Sequence, residues 1–285
     1  MTDSPRERAL RHVAALSAGP PLGPGPRVTL NFHPHRVSGG KPVLDRLADA
    51  GVYLSQFTTG TSNGGLTAHR GGDRWHWESR IFGGAYDDAT PAERPVYGAL
   101  NFRADPYGAA RRFGSAHLRL AAHTLARTTF CYPDSVFEPA DFGVAAAMGL
   151  TALADAAAPD ALDDYVEAQV HGPVVLATDV EAVVLDPVYR GTRVEEAASR
   201  LGCAVEWHGG FRLSVDELAR HPEYRGLEHV ELGTAIAVDG MLDPGVLDAV
   251  EAVHDPQALK RVWHCLARFG APTPARRPAE PPRAP

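Results

Sequence analysis

The first regular pattern of apolar and polar positions is a short helix over residues 5–16. It is followed by Gly19-Pro20-Pro21-Leu22-Gly23-Pro24-Gly25-Pro26, a stretch that no regular element crosses. Val28, Leu30 and Phe32 then alternate with Thr29 and Asn31, which predicts a strand from Arg27 that Pro34 ends. Val43, Leu44 and Leu47 at helical spacing predict a helix over 41–50, with Gly51 as its C-terminal cap. A strand over 52–57 runs into the polar, glycine-rich loop 58–65.

Residues 66–115 are less regular, with short strands predicted at 75–82 and 96–102. The Ala-rich run 142–157 reads as a helix closed by Pro159. Tyr165, Glu167, Gln169 and His171 alternate with Val166, Ala168 and Val170, so all four polar side chains fall on one face of a strand. Further strands are predicted at 174–176, 180–185 and 204–207, and helices near 193–201, 214–220, 243–253 and 256–268. This divides the chain into a helix and Pro/Gly linker (1–26), a single catalytic-type domain (27–270) and a Pro-, Ala- and Arg-rich tail (271–285) expected to be disordered.

Composition narrows the class. A chain of 285 residues can bury a core without staples, and Cys131, Cys203 and Cys265 lie far apart with no zinc-site spacing. Reduced cysteines, an N-terminus without a secretory apolar region and no apolar run of roughly 18 residues predict a cytoplasmic protein with no membrane partner. A formal charge of -7 argues against a polyanion as the default ligand.

Four clusters could carry chemistry. Asn31-Phe32-His33-Pro34-His35-Arg36 stands at a strand end; it reads as a ligand-facing site, a plain turn, or a metal site short of a third recognisable ligand. In the 58–65 loop, Thr59, Thr61, Ser62 and Asn63 with glycine amides could hold a phosphate or ribose, although no nucleotide fingerprint is present; a polar connecting loop explains the same composition. The run from His69 to Asp88, with Trp75, Trp77 and Tyr86, suggests a stacking surface or a half-buried strand with salt bridges. Glu167 and Gln169, two apart, suit the paired hydroxyls of a ribose, or lie on a solvated strand face.

The runs 57–68, 77–88, 94–102, 128–139, 164–173 and 182–192 resemble a bacterial domain-of-unknown-function family over about residues 27–270. More weakly, the order of parts is similar to the ADP-ribosyltransferase superfamily. That resemblance implies an α+β fold with a split β-sheet core that binds NAD, here with additional C-terminal helices. It implies His33 or Arg36 at the end of the first strand, with Arg36 on the pyrophosphate; Thr59, Thr61 and Ser62 as the hydroxyl element; and Glu167 with Gln169 as the catalytic pair. Trp77 or Tyr86 would stack on nicotinamide. The implied activity is transfer of ADP-ribose from NAD, as substrate, to a protein, nucleic-acid or small-molecule acceptor. Two alternatives stand beside it. A non-catalytic nucleotide-binding or interaction module is favoured by the order Glu167-Ala168-Gln169, the reverse of the superfamily's Gln-x-Glu; a histidine-metal hydrolase would use His33, His35 and His69, His76 or His171.

Overall fold

The computed structural model describes residues 3–38, 40–60, 67–157 and 159–271. Its centre is one eight-stranded sheet: β1 (Arg27–Phe32), β2 (Val96–Asn101), β3 (Ala116–Leu120), β4 (Thr128–Tyr132), β5 (Asp141–Val144), β6 (Val166–Val170), β7 (Val180–Leu185) and β8 (Ala204–Trp207). The spatial order is β8-β7-β3-β1-β2-β6-β4-β5, with β7 and β8 parallel and every other pair antiparallel. The fold is therefore mixed α+β, as expected. The strands run as one continuous sheet, however, where the expectation was a sheet split around a cleft.

Strand alternation gives this sheet two unlike faces. Leu30, Leu100, Leu118, Phe130 and Ala168 point to one side and pack against Leu44 and Leu47 of α2 (Val43–Ala50), Leu150 and Ala154 of α4 (Leu150–Ala157), and Ala197 and Ala198 of α5 (Arg193–Ser199). The register brings Thr29, Asn31, Tyr97, His117, Thr129, Cys131, Glu167 and Gln169 together on the other side. This second face is polar, yet most of it is buried. It is covered in part by α3 (Asp73–Ile81), whose Arg74 and Glu78 look toward the sheet while Trp77 and Ile81 pack with Ala9 and Val13 of α1 (Pro5–Leu16). A separate apolar cluster joins α6 (Leu227–Ile236), α7 (Pro244–Ala249) and α8 (Pro256–Phe269) through Val230, Leu247, Leu259, Val262 and Leu266.

Several predicted elements change. The strand expected at 75–82 is the helix α3: the apparent alternation of Trp75 to Glu78 is too short to outweigh the i, i+4 pairs Arg74/Glu78 and Trp77/Ile81. The helix expected at 142–157 begins only at Leu150, because Asp141–Val144 pairs with β4 as an edge strand. The strand expected at 52–57 is two residues long and gives way to a helical turn, Gln56–Thr59, capped by the Ser55 hydroxyl. Strands β3 and β4 and helix α6 had no sequence prediction. Among the described residues no helix is long and apolar enough to cross a membrane.

Candidate functional site

Glu167 and Gln169 lie mid-sheet, β6 being flanked by β2 and β4. Ala99 and Cys131 stand opposite Glu167, and Tyr97 and Thr129 stand opposite Gln169. The predicted shared face is real, but it is not solvated: Glu167 is 5% exposed, and Gln169 and His171 are fully buried.

A buried carboxylate needs partners, and Glu167 has four. Oε2 accepts from the Ser135 hydroxyl (2.8 Å) and the Ser135 amide (3.3 Å). Oε1 accepts from Gln169 Nε2 (3.0 Å) and, more distantly, from the Cys131 thiol (3.8 Å). Arg74 donates to the Ser135 hydroxyl at 2.9 Å and so touches Glu167 through it. Burial and the charge of Asp134 push the Glu167 carboxyl upward, while Arg74, Ser135 and Gln169 act in the opposite direction.

Behind Glu167 runs a chain whose proton order follows from its first link. Gln169 donates with its amide nitrogen, so its Oε1 accepts from the Thr129 hydroxyl (2.9 Å). That commits the Thr129 proton, so His171 Nε2–H donates to Thr129 Oγ1 (2.9 Å) and His171 Nδ1 accepts from the Tyr86 hydroxyl (2.8 Å). Burial, reinforced by Arg6 and Arg127, lowers His171 to about 3, so the ring is neutral as this order requires. Every donor in the chain points toward Glu167.

Beside it, Arg94 pairs with Glu78 at 2.5 Å and Tyr97 donates to Glu78 at 2.9 Å; the Arg74 guanidinium sits 4.1 Å from the centre of the Tyr97 ring. Burial raises Glu78 to about 7 against the pull of Arg94. Asp134 accepts from the Tyr165 hydroxyl and the Val136 amide. The carboxylates of Glu167, Asp134 and Glu78 thus face two guanidiniums, Arg74 and Arg94. Fully ionised, the group carries excess negative charge. Glu167, Asp134 and Arg74, with Tyr53, Tyr97, Tyr165 and Phe113, line a cavity of about 70 Å³, room for one small group.

A second cavity, of about 300 Å³, shares the Phe113 wall. It holds the predicted strand-end residues His33 and Arg36, together with Arg112 and Lys260. Burial and nearby Arg36 push His33 well below its ordinary value. Asn31 lines the small cavity and His33 the large one, two residues apart on one chain segment.

The predicted site residues therefore divide. Glu167 lines one cavity with Gln169 buried behind it and bonded to it, and His33 and Arg36 line the adjoining one. Thr59 closes the Gln56–Thr59 turn with its hydroxyl toward the Ser55 and Gln56 carbonyls. Thr61, Ser62 and Asn63 lie outside the described residues. Trp77 and Tyr86 are corrected: they are core side chains packed with Val13, Ile81 and Phe82, because a helix carries Trp77 inward, away from its predicted stacking position. Tyr86 acts as the far end of the hydrogen-bond chain. His35 lies 2.6 Å from Asp248 and 3.2 Å from Glu251, while His69 and His76 are exposed. Among the described residues no three His, Cys, Asp or Glu side chains are grouped to hold a metal. Sequence reasoning missed Arg74, Asp134, Ser135, Arg112 and Lys260 as site residues; only the Arg74/Glu78 spacing carried a usable signal.

Fold and site define a mixed α+β protein with a largely antiparallel sheet, whose buried polar face presents a preorganised carboxylate to a small cavity. The chain belongs to the family described as Protein of unknown function (DUF3626), which matches residues 27–156 and 148–269. No curated protein matches it significantly.

Proposed function

We propose that the protein cleaves the nicotinamide–ribose bond of NAD and transfers ADP-ribose to an acceptor in the cytoplasm, with Glu167 as the catalytic carboxylate. One observation carries this reading: the Glu167 cavity, lined by aromatic rings and by two carboxyl groups beside one guanidinium, adjoins a larger cavity lined by Arg36, Arg112 and Lys260 together with Glu251. NAD has the matching polarity, a cationic ring at one end and a diphosphate at the other. Tyr165 and Phe113, both in the lining, are aromatic rings against which the cationic nicotinamide can pack, while Tyr97 is engaged by Arg74. As the glycosidic bond breaks, nicotinamide leaves with the bonding electron pair and the ribose develops oxocarbenium character, which a fixed carboxylate stabilises. The acceptor's nucleophile then forms the new bond to the same carbon and gives up its proton to solvent, which balances the loss of the nicotinamide charge. Gln169 does not carry charge in this scheme; it orients Glu167.

The test is release of nicotinamide from ring-labelled NAD, with and without cell extract as a source of acceptors. Release by the native chain and a loss on the order of 10²–10³ in Glu167→Gln are expected. No release, with no NAD binding at millimolar concentration, overturns the proposal. The narrowness of the Glu167 cavity favours one other reading, a binding module that seats a small group without turnover; saturable NAD binding with no nicotinamide release would establish it.

A further inference from the structure

We infer that the larger cavity is a binding site for the diphosphate group of a small molecule, held by Arg36, Arg112 and Lys260. The three cations come from unrelated parts of the chain: Arg36 follows β1, Arg112 lies in the 3-10 turn Arg111–Phe113, and Lys260 lies on α8. Only folding brings them to one cavity of about 300 Å³. Their local compensation is incomplete. Glu251, the one carboxylate in the lining, has only a loose contact with Arg36, at 3.7 Å, and Arg112 pairs with Asp163 outside the lining. Lys260 has no ion-pair partner among the described residues, although it is half-buried. Burial first, and then the charges of Arg112, Arg36 and Arg261, lower its pKa.

Like charges gathered around a partly enclosed space repel one another, and an anion placed between them removes that cost. Guanidiniums add directed, paired donors that match phosphate oxygens. The neutral His33 ring, also in the lining, can donate one further hydrogen bond without adding charge. The cavity, of about 300 Å³, has room for a diphosphate, whose additional oxygens and charge suit three cations better than a single phosphate does. A polynucleotide fits poorly, because the cavity is confined and the chain carries a formal charge of -7. The site stands on its own lining; that its ligand continues past Phe113 to Glu167 rests on the proposed function.

The experiment is isothermal titration of the full chain with inorganic pyrophosphate and with orthophosphate at fixed ionic strength. Native protein should bind pyrophosphate more tightly than orthophosphate. Lys260→Glu should weaken pyrophosphate binding at least about tenfold. Its unliganded melting temperature should be unchanged or higher, since it relieves repulsion. Arg36→Gln serves the same purpose if Lys260→Glu fails to fold. Exposed Arg261→Gln should change binding by less than about twofold. Absence of pyrophosphate binding, equal affinity for both anions, or equal binding by Lys260→Glu and native protein overturns the inference. Pyrophosphate binding without any NAD binding leaves the diphosphate site standing and overturns the NAD reading instead. Competition between the two ligands supports both.

Discussion

Replacing Glu167 with Gln should be felt at His171, three links away. The carboxylate accepts at both oxygens, from Ser135 on one side and Gln169 on the other. An amide can accept on one side only. Two donors of Ser135 fix its oxygen there, which turns its NH2 toward Gln169 Nε2. Gln169 must then flip, presenting Oε1 to residue 167 and its NH2 to Thr129. The Thr129 hydroxyl next donates to His171 Nε2, the imidazole proton moves to Nδ1, and Nδ1–H donates to Tyr86. The reversed chain leaves the buried Tyr86 hydroxyl proton without an acceptor within it. An orphaned buried donor costs roughly 1–3 kcal/mol, a fall in Tm on the order of 5 °C for a chain of this size. Nitrogen-15 NMR of labelled histidine reads the tautomer directly. Nε2–H in the native protein and Nδ1–H in Glu167→Gln are expected, with the Tm loss alongside. An unchanged His171 tautomer in a folded variant would show that the chain does not transmit the substitution.

Three further outcomes follow from burial. His117, His171 and His264 are each lowered by burial to about 3 from an ordinary 6.5, so the unfolded chain binds their protons first as pH falls. Their stabilisation is complete above pH 6.5 and is lost toward pH 3. Glu78, raised to about 7, acts in the opposite direction because the native state takes up its proton. A lower Tm at pH 5 than at pH 7.5 is expected by calorimetry, and equal values would contradict the assignment of neutral buried rings. Trp77→Ala should cost about 3–5 kcal/mol in denaturant unfolding, since Trp77 is only 5% exposed in the α1–α3 packing; a loss under 1 kcal/mol would place it outside the core. His264 is buried, and among the described residues neither of its ring nitrogens has a partner, so His264→Leu should raise Tm, and a clear destabilisation would reveal a partner for that ring.

Sequence alone determined the elements whose side chains repeat with a clean period. The alternations at 27–32 and 165–171 are strands β1 and β6, and the apolar stripe of 256–268 is α8. The polar face of β6 was legible because period two assigns Glu167 and Gln169 to one side whatever the fold. Alternation does not say which side is covered, and this sheet covers both. Only the tertiary structure therefore decided that Glu167 is a buried, hydrogen-bonded carboxylate instead of a solvated one, and that Trp77 is core. The segment 75–82 was misread because a four-residue alternation and a helix with a charged face are indistinguishable in so short a window, until Arg74 and Glu78 are seen against the sheet. Resemblance to the domain-of-unknown-function family was also in the sequence and is borne out by the family match. The meeting of Arg36, Arg112 and Lys260 was not, for side chains so far apart in the chain are brought together by packing, which no local pattern encodes.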